Sequence, residues 1–205
     1  MRTTLVWLRN DLRLHDHLPL QCALEKSDQL LLVYCLPDSW FESTEYGFPK
    51  INNIRLEFLL QSLVDLRKHA QERGGELIFR RGNSPEIIAE LAERHRVDTV
   101  FAHREHAPDE KREEDNLRKR LKVPLRLCDG NSLLKETELP FSLVDLPQVF
   151  SNFRKQVEKE VQISRPIPVP KILPPHPQDC PPGIIPNLED LGFEPFIRDI
   201  RSVYR

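Results

Sequence analysis

Five short apolar runs recur through the first 130 residues: TTLVWL (3–8), QLLLVYCL (29–36), ELIFR (76–80), VDTVFA (97–102) and VPLRLC (123–128). None alternates between apolar and polar residues. Successive side chains of a strand point to opposite faces, so a run that is apolar throughout belongs in a sheet covered on both sides, as parallel sheets are. The stretches between the runs are long enough for the crossover helices that parallel neighbours need. The expected fold class is α/β: a Rossmann-like doubly wound five-stranded parallel sheet with flanking helices over residues 1–130.

The connecting stretches carry helix signals. In residues 52–73, Leu56, Leu59, Leu60, Leu63, Leu66 and Ala70 make one apolar face, and Gly74-Gly75 is a natural stop. The next helix opens at NSPE, with Ser84 expected as N-cap and Pro85 at the first helical position. The helix after FAHREHA contains DEKREED at 109–115, with only Leu117 and Leu121 to anchor it. That pattern predicts a solvated surface helix with mixed-sign pairs, and its acidic first turn suits the positive end of the helix dipole.

Beyond Gly130 the pattern changes. Residues 131–162 place Phe150, Phe153, Val157 and Val161 at helical spacing, and this helical extension is expected to pack back on the domain. Residues 163–205 are expected to be a Pro-rich linker and short tail. Within 163–187, 9 of 25 residues are proline, which excludes helix and central strand and favours a stiff, extended connector. The tail carries the apolar residues Phe193, Phe196, Ile197 and Ile200.

Composition narrows the function classes. A formal net charge of −2 supplies no global field toward nucleic acid or anionic membrane. The basic RKRLK at 118–122 is offset by the acidic run before it and has no stacking aromatics nearby. No stretch approaches the roughly 18 apolar residues of a membrane span, and the first strand begins too early to leave room for a signal peptide. Cys22, Cys35, Cys128 and Cys180 show no paired spacing, as in a reducing compartment. A cytoplasmic location is expected.

In an open parallel sheet, ligands sit beyond the carboxyl ends of the strands, where the strand order reverses. Residues 9–16, 37–49 and 103–110 follow the first, second and fourth strands and are the expected edges of that crevice. With seven glycines, no G-x-G-x-x-G and no P-loop, a backbone cradle for phosphate is not expected. Nothing arranges a base beside a serine or cysteine nucleophile, so no catalytic residue is assigned. His15, His17, His103 and His106 lack the tight ligand sets of zinc sites; they read as surface or loop histidines, and no metal is expected. The turn RNDLRLHD packs Arg9, Asp11, Arg13 and Asp16 into eight residues. Half-buried arginines need carboxylates, so Arg9 with Asp11 or Asp16, and Arg13 with another carboxylate, are expected to clasp this loop.

That same stretch, VWLRNDLRLHDH, resembles the opening signature of the cryptochrome/photolyase family, W-x-R-x-D-L-R-x-x-D, at Trp7, Arg9, Asp11, Leu12, Arg13 and Asp16. GFPKINNIRLEFLLQSLVDLRKHAQERGGELIFRRGNSPEII is similar to the family's R-x-x-F-L-x-x-S-L-x-x-L helix and the G-x-x-L strand after it. LPFSLVDLPQVFSNFRKQVEK resembles the D-L-P-x-V-F-x-x-F-R-K pattern of the DASH cryptochrome branch. Together these matches cover nearly the whole chain, in order.

The resemblance implies an antenna-chromophore-binding domain of a DASH-type blue-light photolyase or photoreceptor. Its pigment would be methenyltetrahydrofolate, or a deazaflavin or flavin. In the family a helical domain beyond the connector holds FAD and performs light-driven electron transfer to damaged DNA. FAD is therefore not expected to bind this chain alone, and deoxyribodipyrimidine photolyase activity is expected only when an FAD-binding domain completes it. In folate-type relatives an acidic residue after the fourth strand bonds the pterin. Glu110 is the positional match and Glu105 the alternative, with Arg9, Asp11 and Leu12 bordering the crevice. The implied partners are a separate FAD-binding subunit or a second copy, with DNA met only indirectly and no membrane. The alternative is a stand-alone interaction or homodimer scaffold that has lost the pigment.

Overall fold

Along β1 (Thr3–Leu8), Leu5 and Trp7 point to one side and Val6 and Leu8 to the other, and all four are buried. β2 (Gln29–Leu36) repeats the pattern, with Leu31, Val33 and Cys35 on one side and Leu32, Tyr34 and Leu36 on the other. Both faces of these strands are core, which accounts for the missing polar alternation. The computed structural model, which describes residues 1–194, joins them to β3 (Leu77–Arg81), β4 (Thr99–His103) and β5 (Leu125–Cys128). All neighbours are parallel, in the order β3-β2-β1-β4-β5.

Helices α1 (Leu18–Leu24) and α2 (Asn53–Gln71) cover one face, and α3 (Ser84–Arg94) and α4 (Pro108–Arg120) the other. The order reverses between β1 and β4, so a crevice opens there at the carboxyl ends of the strands. Among the described residues no helix is long and apolar enough to cross a membrane.

The predicted apolar face of α2 is the one that packs: Leu56, Leu60, Leu63, Leu66 and Ala70 are buried and Leu59 partly so. Asn52 caps it, its side-chain oxygen accepting the Arg55 amide at 2.9 Å. Gly74, at φ +83°, ends it in a left-handed turn that other residues rarely adopt. The cap of α3 is Asn83 rather than Ser84. Asn83 has the extended backbone a cap requires, and its side chain accepts the Glu86 amide at 3.2 Å, while Ser84 is already helical and buried.

Two expectations about the later residues change. Helix α5 (Phe150–Glu160) forms, but it buries none of its residues, and Phe150 is 72% exposed. Phe153 instead meets the rings of Phe141 and Phe150. The sheet faces are already occupied by α1 to α4, so the stripe finds no uncovered apolar surface there.

The proline-rich stretch is extended, as expected, but it is no free spacer. It wraps around the end of α2. Ile167 meets Asp16, the Leu173 amide donates to the Arg73 carbonyl at 2.8 Å, and the Leu30 amide donates to Pro175 at 3.1 Å. The Phe79 amide on edge strand β3 then donates to the Pro182 carbonyl at 2.7 Å, and Leu188 is buried beside α2. Proline cannot donate a backbone bond but its carbonyl accepts, so a proline-rich strap can cover a strand edge one-sidedly. Covering β3 also removes a template for aggregation. Phe193 lies within the described residues and touches Phe41; Phe196, Ile197 and Ile200 lie outside them.

Gly183 adopts φ +76°, and a Cβ there would collide with the Phe79 carbonyl. Gly183→Ala is therefore expected to lower unfolding stability by about 2 kcal/mol, read as a shifted urea midpoint. An unchanged midpoint would mean that the strap is not held against β3.

Candidate functional site

At the carboxyl end of β1 the chain turns sharply, and its charged side chains go in three directions. Asp11 turns inward and is 2% exposed. Its carboxylate accepts the Arg9 amide at 2.8 Å and Nδ1–H of His103 at 2.5 Å. His17 Nε2 lies 2.9 Å from the same oxygen, with its N–H pointing off the direct line. Burial raises the Asp11 carboxyl, but the hydrogen bond from His103, the adjacent His17 ring and the Arg9 amide outweigh it. They hold it far below the usual carboxylate range.

His17 and His103 are each 1% exposed, so two of the four histidines are not surface or loop groups. His17 caps α1, with Nδ1 accepting the Leu20 amide at 3.1 Å, and His103 ends β4. Asp11, His17 and His103 are residue types that ligate metals, and their atoms converge. The hydrogen-bond pattern assigns the cluster otherwise. Because Nδ1 of His17 accepts an amide, its ring proton sits on Nε2, the atom facing Asp11, and no lone pair remains there for a cation.

Arg9 does not pair its guanidinium with Asp11 or Asp16. It reaches α4, where Nη1 lies 2.6 Å from Glu114, both side chains under 10% exposed. It also donates to the Glu110 carbonyl at 3.3 Å and lies 4.6 Å from the Trp7 ring centroid. Among the described residues Arg13 finds no carboxylate either; it donates to the carbonyls of His15 and Asp16. Asp16 sits in the left-handed region at φ +51°, and its amide and carboxylate both bond Ile167 of the strap. The clasp exists, but its partners are histidines, a helix glutamate and the strap.

Beside this knot a cleft of ≈ 400 Å³ opens over the ends of β1 and β2. Trp7, Tyr34 and Trp40 supply aromatic surface, Arg9, Lys50 and Arg55 positive charge, and Asp109, Glu110 and Glu113 of α4 carboxyl groups. Arg55 lies 4.9 Å from the centroid of the Trp40 ring. Lys50 bonds Asp109 at 2.6 Å across the rim, and that bond draws the Asp109 carboxyl down. Burial pushes the Glu113 carboxyl up, and the charges of Glu110 and Asp109 push it further.

All three expected edges of the crevice contribute to this cleft. Of the individual residues, Arg9 and Glu110 line it. Glu105 does not: its carboxylate accepts from Asn131 at 3.2 Å, and burial pushes its carboxyl up. Asp11 lies beneath, in the histidine cluster, and Leu12 borders a neighbouring hollow with Trp40 and Phe58. Glu114, Glu113, Lys50 and Trp40 were not anticipated. Glu114 is one acid among several in DEKREED, and nothing local marks it as the buried one. Lys50 and Trp40 lie on a long irregular loop without periodicity to place them.

The family model for DNA photolyase matches residues 4–174. The chain is 40% identical to the cryptochrome DASH of Gloeobacter violaceus over 205 residues, covering 98% of this chain and 41% of that protein. It is 39% identical to the chloroplastic/mitochondrial cryptochrome DASH of Arabidopsis thaliana, covering 94% of this chain and 35% of that one. Among solved structures, a Synechocystis cryptochrome superposes with a TM-score of 0.89 at 35% identity, over 100% of this chain and 43% of that chain. The chain thus spans about two fifths of the length of these relatives.

Two outcomes are expected of the knot. Asp11→Ala, which strips the acceptor from buried His103 and from an amide, is expected to cost about 3 kcal/mol of stability by chemical denaturation. Because the folded-state pKa of Asp11 is depressed, its contribution is complete above the unfolded value of 3.8 and is lost as pH falls below it. Asp11→Asn is therefore expected to flatten the acid limb of the stability–pH curve; an unaltered limb would remove Asp11 as its source.

Proposed function

The chain belongs to the DNA photolyase family, and from that premise we propose that its cleft holds an antenna pigment for a DASH-type flavoprotein. The domain itself is a photolyase/cryptochrome α/β domain related to DASH cryptochromes. The observation that carries the reading is the position of Glu110. Its residue lines the cleft at the first turn of α4, beside Arg9, with aromatic surface from Trp40 and Tyr34 close by. A pterin offers adjacent N–H donors that one carboxylate accepts in a bidentate manner, and its flat ring suits aromatic walls. A reduced folate such as methenyltetrahydrofolate fits this chemistry best, with Lys50 and Arg55 at hand for the acidic tail of such a ligand. A deazaflavin or flavin is the second pigment class.

On this reading the chain collects light and passes excitation to FAD held elsewhere, in a helical domain of the kind that completes full-length relatives. DNA repair then belongs to the completed assembly, and no residue of this chain touches the lesion. Arg9 acts twice, lining the cleft and holding α4 against β1 through Glu114.

A second reading rests on a separate observation. Phe150 is 72% and Val144 94% exposed, and α5 buries nothing. An apolar surface of this kind suits a protein partner, either the FAD-binding half or a second copy on a scaffold without pigment.

Titration with methenyltetrahydrofolate, followed by its near-ultraviolet band, tests the first reading. Glu110→Gln is expected to weaken binding about 10-fold or more, as loss of a charge-assisted bond does, whereas Glu105→Gln is expected to stay within about 3-fold. Equal effects of the two substitutions, or no uptake of any folate, deazaflavin or flavin, would refute the assignment. Sedimentation over a range of concentrations tests the second: a self-associating scaffold sediments faster as it is concentrated, and Phe150→Ser is expected to abolish that.

A further inference from the structure

One side of the cleft mouth is the loop after β2, residues 37–52, and the other is the first turn of α4. An ion pair spans them: Lys50 Nζ lies 2.6 Å from the Asp109 carboxylate, with the two side chains 46% and 51% exposed. Pairs as exposed as this hold weakly and exchange readily. Their other partners differ. Asp109 also pairs with Arg112, one turn further along α4. Among the described residues Lys50 pairs with no other carboxylate, and Arg55, 4.9 Å from the Trp40 ring centroid, pairs with none. Asp109 therefore keeps a cation when Lys50 swings away, while Lys50 is left ready for another acid.

We propose that the Lys50–Asp109 pair is an exchange latch that selects pigments with an acidic tail: the tail carboxylate takes the place of Asp109 on Lys50 and leaves Asp109 to Arg112. The latch rests on the reading of the cleft as a pigment site, and it states what that site requires of the pigment's far end.

The exchange is a movement of one side chain. The backbone of Lys50 is fixed: its carbonyl accepts from Arg55 Nη1 at 3.4 Å, and buried Ile51 beside it donates its amide to the Trp40 carbonyl at 3.3 Å. Beyond that anchor the lysine is a compact charge on a flexible stem, able to turn from α4 into the cleft. Selectivity follows from effective concentration. Asp109 is tethered beside Lys50, so it outcompetes small anions, which meet Lys50 only at their bulk concentration. A pigment whose ring is seated against Glu110 tethers its own tail, and the tail then competes with Asp109 on equal terms. The glutamate of a folate carries two carboxylates, matching the cations of Arg55 and Lys50 in the cleft. A pigment with a neutral tail, such as riboflavin, gains nothing from the exchange.

The experiment titrates the full chain with two probes followed by absorbance: methenyltetrahydrofolate and its dimethyl ester, which keeps the ring and the length but carries no tail charge. Lys50→Met is expected to weaken binding of the free acid about 5-fold, and Asp109→Asn, which removes the competitor, to tighten it about 3-fold. In Lys50→Met protein the gain from Asp109→Asn is expected to vanish, as it does when two residues act through one contact. The ester is expected to respond to neither substitution by more than about 1.5-fold. Glu93→Gln removes the same charge from an exposed pair with Lys122, at the opposite ends of α3 and α4, and is expected to leave both probes unchanged. All three residues are exposed, so the variants leave the core untouched. The latch is overturned, with the pigment reading left standing because folate still binds, by any of four results. These are Lys50→Met protein that binds the acid like the wild type, Asp109→Asn that fails to tighten it or tightens it equally without Lys50, equal responses of acid and ester, and a shift with Glu93→Gln as large as with Asp109→Asn. Failure of the wild type to bind either probe overturns the pigment reading and the latch together.

Discussion

The carboxylate of Asp11 is an ionised group placed where almost no water reaches, and the topological switch point of the sheet is organised around keeping it satisfied. A bare charge in such a place costs several kcal/mol. The cost is offset by groups from three elements: the Arg9 amide at the end of β1 and His103 at the end of β4 donate to it, and the His17 ring at the start of α1 lies against it. Because β1 and β4 are the neighbours between which the strand order reverses, the cluster fixes the spacing of the crevice that opens between them. His17 in turn caps α1 with its other nitrogen, so the direction in which the chain leaves β1 follows from the same carboxylate.

Arg9 extends this knot to the second layer. Its guanidinium, stacked near Trp7 and paired with Glu114, draws the first turns of α4 over the ends of the strands. α4 is strongly charged and buries little beyond Leu117 and Glu114, so packing alone holds it weakly. The buried pair gives it a unique register, and with that register Glu110 and Glu113 reach the cleft while Glu105 turns toward Asn131. Site and scaffold are coupled: the interactions that shape the cleft are those that tie the helix to the sheet.

The strap makes a different contribution. By lending carbonyls to Leu30 and Phe79 it satisfies backbone donors at the entry of β2 and along the edge of β3, and by burying Leu173 and Leu188 it closes the α2 side of the core. Asp16 joins this strap to the turn that begins at Arg9, so the signature stretch holds together parts of the chain that are remote in sequence. Helix α5, in contrast, is left amphipathic and unburied.

What the sequence determined by itself is whatever rests on local periodicity and stop signals. Unbroken apolar runs identify strands buried on two faces, Leu56 to Ala70 identify the inward face of α2, Gly74 marks its end, and the loops after the first, second and fourth strands mark the crevice, because each depends on residues a few positions apart. The tertiary structure alone decided which charge meets which. Arg9 and Glu114 are 105 residues apart, His103 and Asp11 92, and Ile167 and Asp16 151. Along the chain one carboxylate looks like another, and a proline-rich stretch looks like a spacer. Burial singles out Asp11 and Glu114, and an open strand edge captures the strap, only once the sheet has brought those distant segments together, since the energies involved depend on separation and desolvation rather than on order in the sequence.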